Sequence, residues 1–473
     1  GSLFWILALL HVPPVAAPQF LLMGDRRLEG YRRARRHGLR ALDRHYREML
    51  EAMKAATMTP DRASLRVLGI LARLPWTRGN TVRHFDRADD MYESLVSAID
   101  DARATVQMQF YIYRDDEIGQ RVRAALIRAK QRGVAVWLMY DELGCAGTPE
   151  DYFEVMREAG IAVSGFRTVP SKRRVLRLNF RNHRKLVVID GVTVFFGGMN
   201  VGCEYCGGDE SIGLWRDTHA RATGPVALAG QMTFLEDWHW AQRQIPREFV
   251  WRVSDAPQPD DEHAVDAMLL FPSGPIDDKE EGLKMFLQLI GEAKQRLWIA
   301  TPYFVCEEAV LQAIELAKLR GVDVRILVPN RPDSILVEHA ANAFIADVLA
   351  AGVAVYHYTR GFTHQKVVLC DDVTSIGSAN LDHRSMTLNF ELTGIVHDAR
   401  FADRVATMLQ ADLRRAKALE PNWWRDIGAC RRFAARLLAA RRGWRSAPWS
   451  ARRTAPCPSR PGQKLPGSRP ARR

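Results

Sequence analysis

Read for its apolar and polar positions, the middle of the chain predicts strands and helices in alternation. Thr105 to Tyr113 (TVQMQFYIY) has the pattern of a buried strand, Glu117 to Arg132 that of an amphipathic helix, and Gly133 stops the helix before a second strand, Val134 to Tyr140. The order then returns: Leu297 to Thr301 is a strand, Glu307 to Arg320 a helix, Gly321 its stop, and Val322 to Val328 a strand. The wording repeats as well. AKQRGVAV at 129–136 is echoed by AKLRGVDV at 317–324, and EAGIAV at 158–163 by AAGVAV at 350–355. The period is too long for a solenoid. Strands alternating with helices, once per half, imply two α/β repeats with mixed, largely parallel sheets. A polar, proline-containing stretch, Ser254 to Asp261 (SDAPQPDD), reads as the join between the halves.

The ends have a different texture. Leu3 to Met23 is a run of 21 mostly apolar residues, about the length that crosses a bilayer, followed by Arg26, Arg27, Arg32, Arg33, Arg35 and Arg36. The positive-inside rule puts that flank in the cytoplasm. Without an N-terminal basic region or a small-residue cleavage site, the run reads as an anchor rather than a cleaved signal, although Pro13, Pro14 and Pro18 would kink it. Beyond Ala447 the chain is Pro, Arg, Ser and Gly, a composition that predicts disorder. The expected organisation is therefore an anchor and basic flank over 1–40, a first half over 41–253, linker and second half over 254–420, and a basic tail over 421–473.

Composition narrows the class. With 47% hydrophobic and 26% charged residues among 473, wholesale disorder, collagen-like repeats and a polytopic membrane protein are excluded. The net charge of +12 resembles a nucleic-acid signature until it is located. Residues 431–473 carry thirteen Arg or Lys and no acid, and residues 1–40 a net +5, so residues 41–430 are left at −6. An acidic body with basic ends suits anionic lipid headgroups at least as well as polynucleotide. The seven cysteines are scattered and odd in number, which fits a reducing compartment. Cys203 and Cys206 form a lone C-x-x-C without the second ligand pair that a structural zinc site needs, so no metal is expected.

Each half holds one copy of a strongly patterned segment. The first is His183-Arg-Lys185-Leu-Val-Val-Ile-Asp190 followed by Gly197-Gly198-Met199-Asn200; the second is His364-Gln-Lys366-Val-Val-Leu-Cys-Asp371 followed by Gly377-Ser378-Ala379-Asn380. Both read H-x-K-x4-D, then G-[GS]-x-N. The apolar spacer reads as a strand, and its period of two puts His and Lys on one face, where both can enter a common site. One H-x-K would be a surface accident; a complete copy in each repeat is not.

The paired segments resemble the HKD motifs of the phospholipase D superfamily. The runs FYIYRDDEIG (110–119), GGMNVGCEY (197–205), WRDTHARATGP (215–225), FLEDWHWA (234–241), FPSGP (271–275), TPYF (301–304) and GSANLDHRSMTLNFEL (377–392) are similar to bacterial cardiolipin synthases. The resemblance implies two fused phospholipase D-type repeats with one composite site and no cofactor. It implies phosphatidyl transfer between two phosphatidylglycerol molecules through a phosphohistidine, at the bacterial inner membrane, with phosphatidylglycerol and anionic lipids as partners, no nucleic acid, and no obligate oligomer. On this reading His183 is the nucleophile and His364 the general acid and base. Lys185, Lys366, Asn200 and Asn380 meet the charge on the phosphoryl oxygens. An imidazole used this way needs a carboxylate on its second nitrogen. Asp217, 34 residues after His183, and Glu391, 27 after His364, are the candidates. Asp190 and Asp371 complete the motif and are counted in its catalytic set, although their place before turns suggests support of the turn. The tryptophans of FLEDWHWA read as helix core. Two rivals stay open: a hydrolytic phospholipase or nuclease using the same site with water, and a noncatalytic lipid- or DNA-binding module, which two intact motifs disfavour.

Overall fold

The computed structural model of the chain describes residues 38, 40–166, 180–207, 213–249, 251–253, 262–275, 280–331 and 335–440. The expected anchor at Leu3 to Met23, the linker at Ser254 to Asp261 and the tail beyond 440 lie outside these residues. Among the described residues no helix is long and apolar enough to cross a membrane.

Each half contributes seven principal strands. They are β1 (Asn80–Phe85), β2 (Thr105–Phe110), β3 (Ala135–Asp141), β4 (Ala162–Phe166), β5 (Leu186–Ile189), β6 (Thr193–Gly197) and β7 (His219–Thr223) in the first. In the second they are β8 (Ala267–Ser273), β9 (Arg296–Ala300), β10 (Asp323–Pro329), β11 (Ala354–Tyr358), β12 (Val367–Cys370), β13 (Val373–Gly377) and β14 (Asn389–His397). The sheets run β1-β7-β6-β5-β2-β3-β4 and β8-β14-β13-β12-β9-β10-β11. The two orders correspond strand for strand, so the repeat in the sequence is a repeat of topology.

Both sheets are mixed, but the balance differs from the largely parallel expectation. Parallel pairing is confined to β2-β3-β4 and β9-β10-β11. Those strands are joined by crossover helices, Glu117–Gln131, Glu150–Glu158, Glu308–Leu319 and Ile335–Ala350, and a helix brings the chain back in the same direction. The remaining neighbours within each group of seven are antiparallel. Only residues 190–192 separate β5 from β6, and a link that short can return the chain only antiparallel.

The apolar spacers of the motifs are strands buried on both faces, which explains why they lack polar alternation. Leu186 and Val188 join the core between the sheets, whereas Val187 and Ile189 face an outer layer that includes Met91, Leu95, Val122 and Leu126. The helix Val226–Gln242 is buried on nearly all sides; it touches β5, β6 and β7 of the first sheet and β8 of the second. Trp238 and Trp240 belong to that core, as expected.

The halves also trade edges. Thr57–Met58 and Trp76–Thr77 extend the second sheet through Thr77 opposite Met268, although the expected boundary places 41–253 with the first half. Ala264–Val265, beyond the expected linker, pairs instead with β1. The expected tail begins with two described helices, Trp423–Asp426 and Ala429–Ala440, the latter against Ile335–Ala350.

A buried ion pair crosses between the halves. Arg216 Nε and Nη2 donate to the two oxygens of Asp412 at 3.0 and 2.7 Å, and Gln365 Nε2 donates to the same carboxylate at 3.1 Å. Arg216→Met should lower unfolding free energy by about 3–5 kcal/mol, because it leaves the Asp412 charge buried without its partner. Adding Asp412→Leu should restore most of the loss. Urea unfolding of the two variants checks this; equal midpoints for Arg216→Met and the parent would contradict it.

Candidate active site

The two H-x-K triplets lie just ahead of β5 and β12, on extended lead-ins rather than within the strands. Each lead-in is held by the opposite half. Arg181–Asn182 pairs in parallel with Asn389–Phe390 of β14, and His183 N–H donates to Phe390 O at 2.9 Å. Phe362–Thr363 pairs in parallel with Trp215–Arg216, and His364 N–H donates to Arg216 O at 2.8 Å. Alternate residues point away and fasten the segment. Arg184 Nη1 donates to Asp237 at 2.8 Å, joined there by Gln109 and Asn182, while Gln365 reaches Asp412.

This crossing decides which carboxylate meets which imidazole. Chain order suggests Asp217 for His183 and Glu391 for His364; the structure exchanges them. His183 Nδ1 lies 3.0 Å from Glu391 Oε2, and His364 Nδ1 lies 2.6 Å from Asp217 Oδ2. Both carboxylates are fully buried. Glu391 also accepts from Ser378 Oγ at 2.6 Å and from Asn389 Nδ2 at 3.1 Å. The counterpart of Ser378 is Gly198, and a Cβ there would fall 2.1 Å from Asp217 Oδ1. The shorter Asp217 fills the space that a serine would occupy, which is why the motif reads G-G in one half and G-S in the other.

Burial is the largest influence on both imidazoles and lowers them. His364 drops to about 3, with Lys366 adding to the effect, and His183 moves in the same direction. Lowered in this way, each imidazole favours its neutral form, with Nδ1 at its carboxylate. Burial alone would raise the carboxylates, but their hydrogen-bonded imidazole partners and the lysines outweigh it. His183 and Lys185 hold Glu391 low, and Lys366 and His364 hold Asp217 low. Each imidazole also feels both lysines, which ties the two triplets into one site. Lys185 is fully buried and pushed down to about 7 by burial and by Lys366, while Glu391 and Asp217 pull the other way.

Of the paired asparagines, Asn200 is the more firmly set. Its Oδ1 accepts from Ile112 N–H at 3.2 Å and its Nδ2 donates to Tyr205 Oη at 3.0 Å. The Tyr205 ring lies 6.2 Å from His364. Asn380 follows Ser378 by two residues, and its buried Oδ1 has no hydrogen-bond partner among the described residues.

Asp190 and Asp371 are corrected from the catalytic set. They adopt φ of 56° and 51°, a conformation aspartate tolerates better than most residues, and their carboxylates cap the entry to the neighbouring strand. Asp190 accepts from the N–H groups of Arg103, Ala104 and Thr105, and Asp371 from those of Lys294, Gln295 and Arg296, all at 2.8–3.0 Å. Each stands at the far end of its strand from the H-x-K triplet, roughly 15 Å away at the usual rise per residue. They hold the turn and do not reach the histidines. Cys203 and Cys206 are free thiols, and no group of metal-ligating side chains occurs among the described residues.

Several neighbours escaped sequence reading. Tyr111 meets the His183 ring edge-on at 5.0 Å, and Trp215, Phe362 and Tyr303 surround His364 at 5.1, 5.7 and 6.4 Å. Three of them lie in runs already notable in the sequence, FYIY, WRD and TPYF, but nothing in those runs says which aromatic ring turns toward a histidine.

The family described as "Cardiolipin synthase, PLD-like domain" matches residues 95–220 and 286–413. Cardiolipin synthase A of Pseudomonas entomophila strain L48 is 38% identical over 443 residues, covering 92% of this chain and 91% of its own length. Cardiolipin synthase A of Pseudomonas putida strain W619 is 40% identical over 427 residues, covering 89% and 88%. The crystal structure of phosphatidylserine synthase from Haemophilus influenzae Rd KW20 superposes with a TM-score of 0.60 over 80% of this chain and 97% of that one; at 15% identity it supports the fold alone.

A lysine lowered to about 7 is cationic below that pH and neutral above it. Sulfate, whose own charge is constant over this range, should therefore bind about tenfold more weakly at pH 8 than at pH 6, with a shallower profile in Lys185→Met. Between about pH 7 and the ordinary lysine value the unfolded chain binds the extra proton, so this group's contribution to stability rises with pH. Titration calorimetry with sulfate tests the assignment; a pH dependence unchanged in Lys185→Met would refute it.

Proposed function

We propose that this chain, which belongs to the cardiolipin synthase family of phospholipase D-like proteins, moves a phosphatidyl group from one phosphatidylglycerol to another and releases glycerol. The observation that carries the reading is the pair of imidazoles, each set against a buried carboxylate of the other half and both within electrostatic reach of two lysines. A phosphodiester is anionic and resists nucleophiles, so a site of this kind must supply fixed positive charge together with a nucleophile and an acid.

In the first step His183 Nε2 attacks phosphorus while the bond to the glycerol oxygen breaks. That oxygen takes its electron pair and a proton from His364, which the approaching phosphodiester anion favours in its protonated form. The product is a phosphohistidine and free glycerol. In the second step a hydroxyl of another phosphatidylglycerol gives its proton to His364 and its oxygen attacks phosphorus. The P–N bond breaks and its electrons return to His183. Glu391 and Asp217 orient the rings and steady the imidazolium that forms on each in turn. Lys185, Lys366, Asn200 and Asn380 meet the equatorial oxygens, where loss of one donor costs about 3–4 kcal/mol of barrier.

The substrates lie in a membrane, and the Leu3 to Met23 run followed by six arginines would attach the enzyme to the bacterial inner membrane with its basic flank in the cytoplasm. Anionic lipids are then its partners, and the acidic body over 41–430 gives no reason to expect nucleic acid.

Labelled phosphatidylglycerol with mass spectrometry of the products decides the reaction type. Cardiolipin with free glycerol is expected; phosphatidic acid as the dominant product would make the protein a hydrolase. His183→Ala and His364→Ala should each lower turnover by about 10⁴-fold or more, and the double variant should be hardly worse, because the two rings act as one unit. Alkaline quenching should trap the phosphoramidate on His183, most of all in His364→Ala with a good leaving group. Turnover by both single variants within tenfold of the parent would end the two-histidine mechanism.

A further inference from the structure

The positive charge of this chain is concentrated at its ends, and the structure describes where the C-terminal share begins. Residues 431–473 hold thirteen Arg or Lys and no acid, against a net −6 over 41–430. The last described elements are two helices, Trp423–Asp426 and Ala429–Ala440, and the second lies on the helix Ile335–Ala350. Ala435 is fully buried there, and Arg436 Nη1 reaches the Asp347 carboxylate at 3.0 Å. Phe433 comes two residues before Ala435, about 200° round a helix of 3.6 residues per turn, and so points the other way. It is 72% exposed.

A single exposed apolar side chain is ordinary on a protein surface. This one stands among aromatic rings and guanidinium groups. Trp423 and Trp424 are half-buried, with ring centroids 6.5 Å apart. Arg436 lies 5.4 Å over the Trp424 ring, and Arg432 Nη1 donates to Arg425 O at 3.1 Å, so the two helices form one unit. A groove beside them is lined by Trp423, Asp426, Ile427 and the exposed Arg431. Ala429–Ala440 carries three arginines and no acid, and ten more basic residues follow it in the sequence. A helix that lies in a bilayer surface has this make-up: apolar rings pass below the phosphates while cations stay among them. A second copy of the chain fits less well, because a two-fold contact would bring the same positive charge to the same face.

We infer that Ala429–Ala440, together with Trp423 and Trp424, is a docking surface for the anionic leaflet that holds the substrate, with Phe433 entering below the phosphates and Arg431 among them. This deepens the phosphatidyl transfer proposed above and rests on it. A sheet of phosphatidylglycerol repels an acidic body, which therefore needs a basic face to turn toward its substrate. The surface is also tied to the site. The helix beneath it, Ile335–Ala350, packs Val337 with Tyr303 and Phe362, two rings of the wall around His364. Asp347 stands on the same helix roughly 15 Å further along, at 1.5 Å per residue. One helix thus links the docked surface to the catalytic wall and fixes how the site stands to the lipid.

Hydrogen exchange of the full chain in nanodiscs tests the contact independently of catalysis. Amides of residues 423–440 should exchange about tenfold more slowly in discs of phosphatidylglycerol with phosphatidylcholine than in discs of phosphatidylcholine alone. Phe433→Ser and Arg431→Glu, both at exposed positions, should each remove most of that protection. A kinetic arm follows glycerol release, which transfer and hydrolysis share, so the transferase reading can fail without touching the docking surface. On phosphatidylglycerol vesicles each variant should be about tenfold slower than the parent; on short-chain phosphatidylglycerol dispersed below its micelle threshold both should match it. Equal slowing on both substrates would overturn the docking role, and so would identical exchange in the two kinds of disc. Protection that needs no anionic lipid and grows with protein concentration would give the face to a second copy and overturn the lipid assignment. Equal protection by duplex DNA in place of phosphatidylglycerol would overturn it in favour of nucleic acid.

Discussion

The contact on which the rest of the site depends is the buried one between an imidazole and a carboxylate from the other half of the molecule. Glu391 on β14 meets His183, and Asp217, just ahead of β7, meets His364. A charge buried this deeply is tolerated only where donors satisfy it, and each carboxylate has them: Ser378 and Asn389 for Glu391, the Thr218 N–H and Lys366 for Asp217. Neither half can complete either histidine alone. The duplication is thus functional as well as architectural, since two copies of one fold supply complementary parts of a single centre.

The crossing follows from the backbone before it involves any side chain. Each H-x-K lead-in hydrogen-bonds along a segment of the opposite repeat, which sets both the position and the direction of its histidine. The residue between His and Lys then points to the reverse side. Arg184 goes to Asp237 and Gln365 to Asp412, where Arg216 of the first half also binds. The pairs that join the halves therefore also hold the reactive rings, and a fault in the interface would be felt at the site.

Near symmetry leaves room for two-sided chemistry. The second repeat encloses its histidine in several aromatic rings, whereas the first sets its own against Tyr111. The same divergence appears at Gly198 and Ser378, where carboxylates of different length demand residues of different size. An enzyme that must accept one lipid, release its alcohol and admit a second gains nothing from identical sides. It needs common charge at phosphorus and unlike surroundings next to it.

Much of this was legible in the amino-acid sequence by itself. The repeat, the burial of the motif spacers, the helical core tryptophans and the pairing of two His with two Lys follow from local periodicity and spacing, which are properties of neighbouring residues. The set of carboxylates was legible too, because Asp217 and Glu391 stand in patterned runs. Their partners were not. Separation along the chain assigns each acid to its own half, and the tertiary structure reverses that by laying each lead-in against the other repeat. Tertiary contacts likewise decided which N–H groups Asp190 and Asp371 cap, and that antiparallel pairs outnumber parallel ones in each sheet. The physical reason is common to all of these. Spacing determines which face of an element a residue occupies, whereas what that face meets depends on the packing of segments as much as 200 residues apart, which no local pattern encodes.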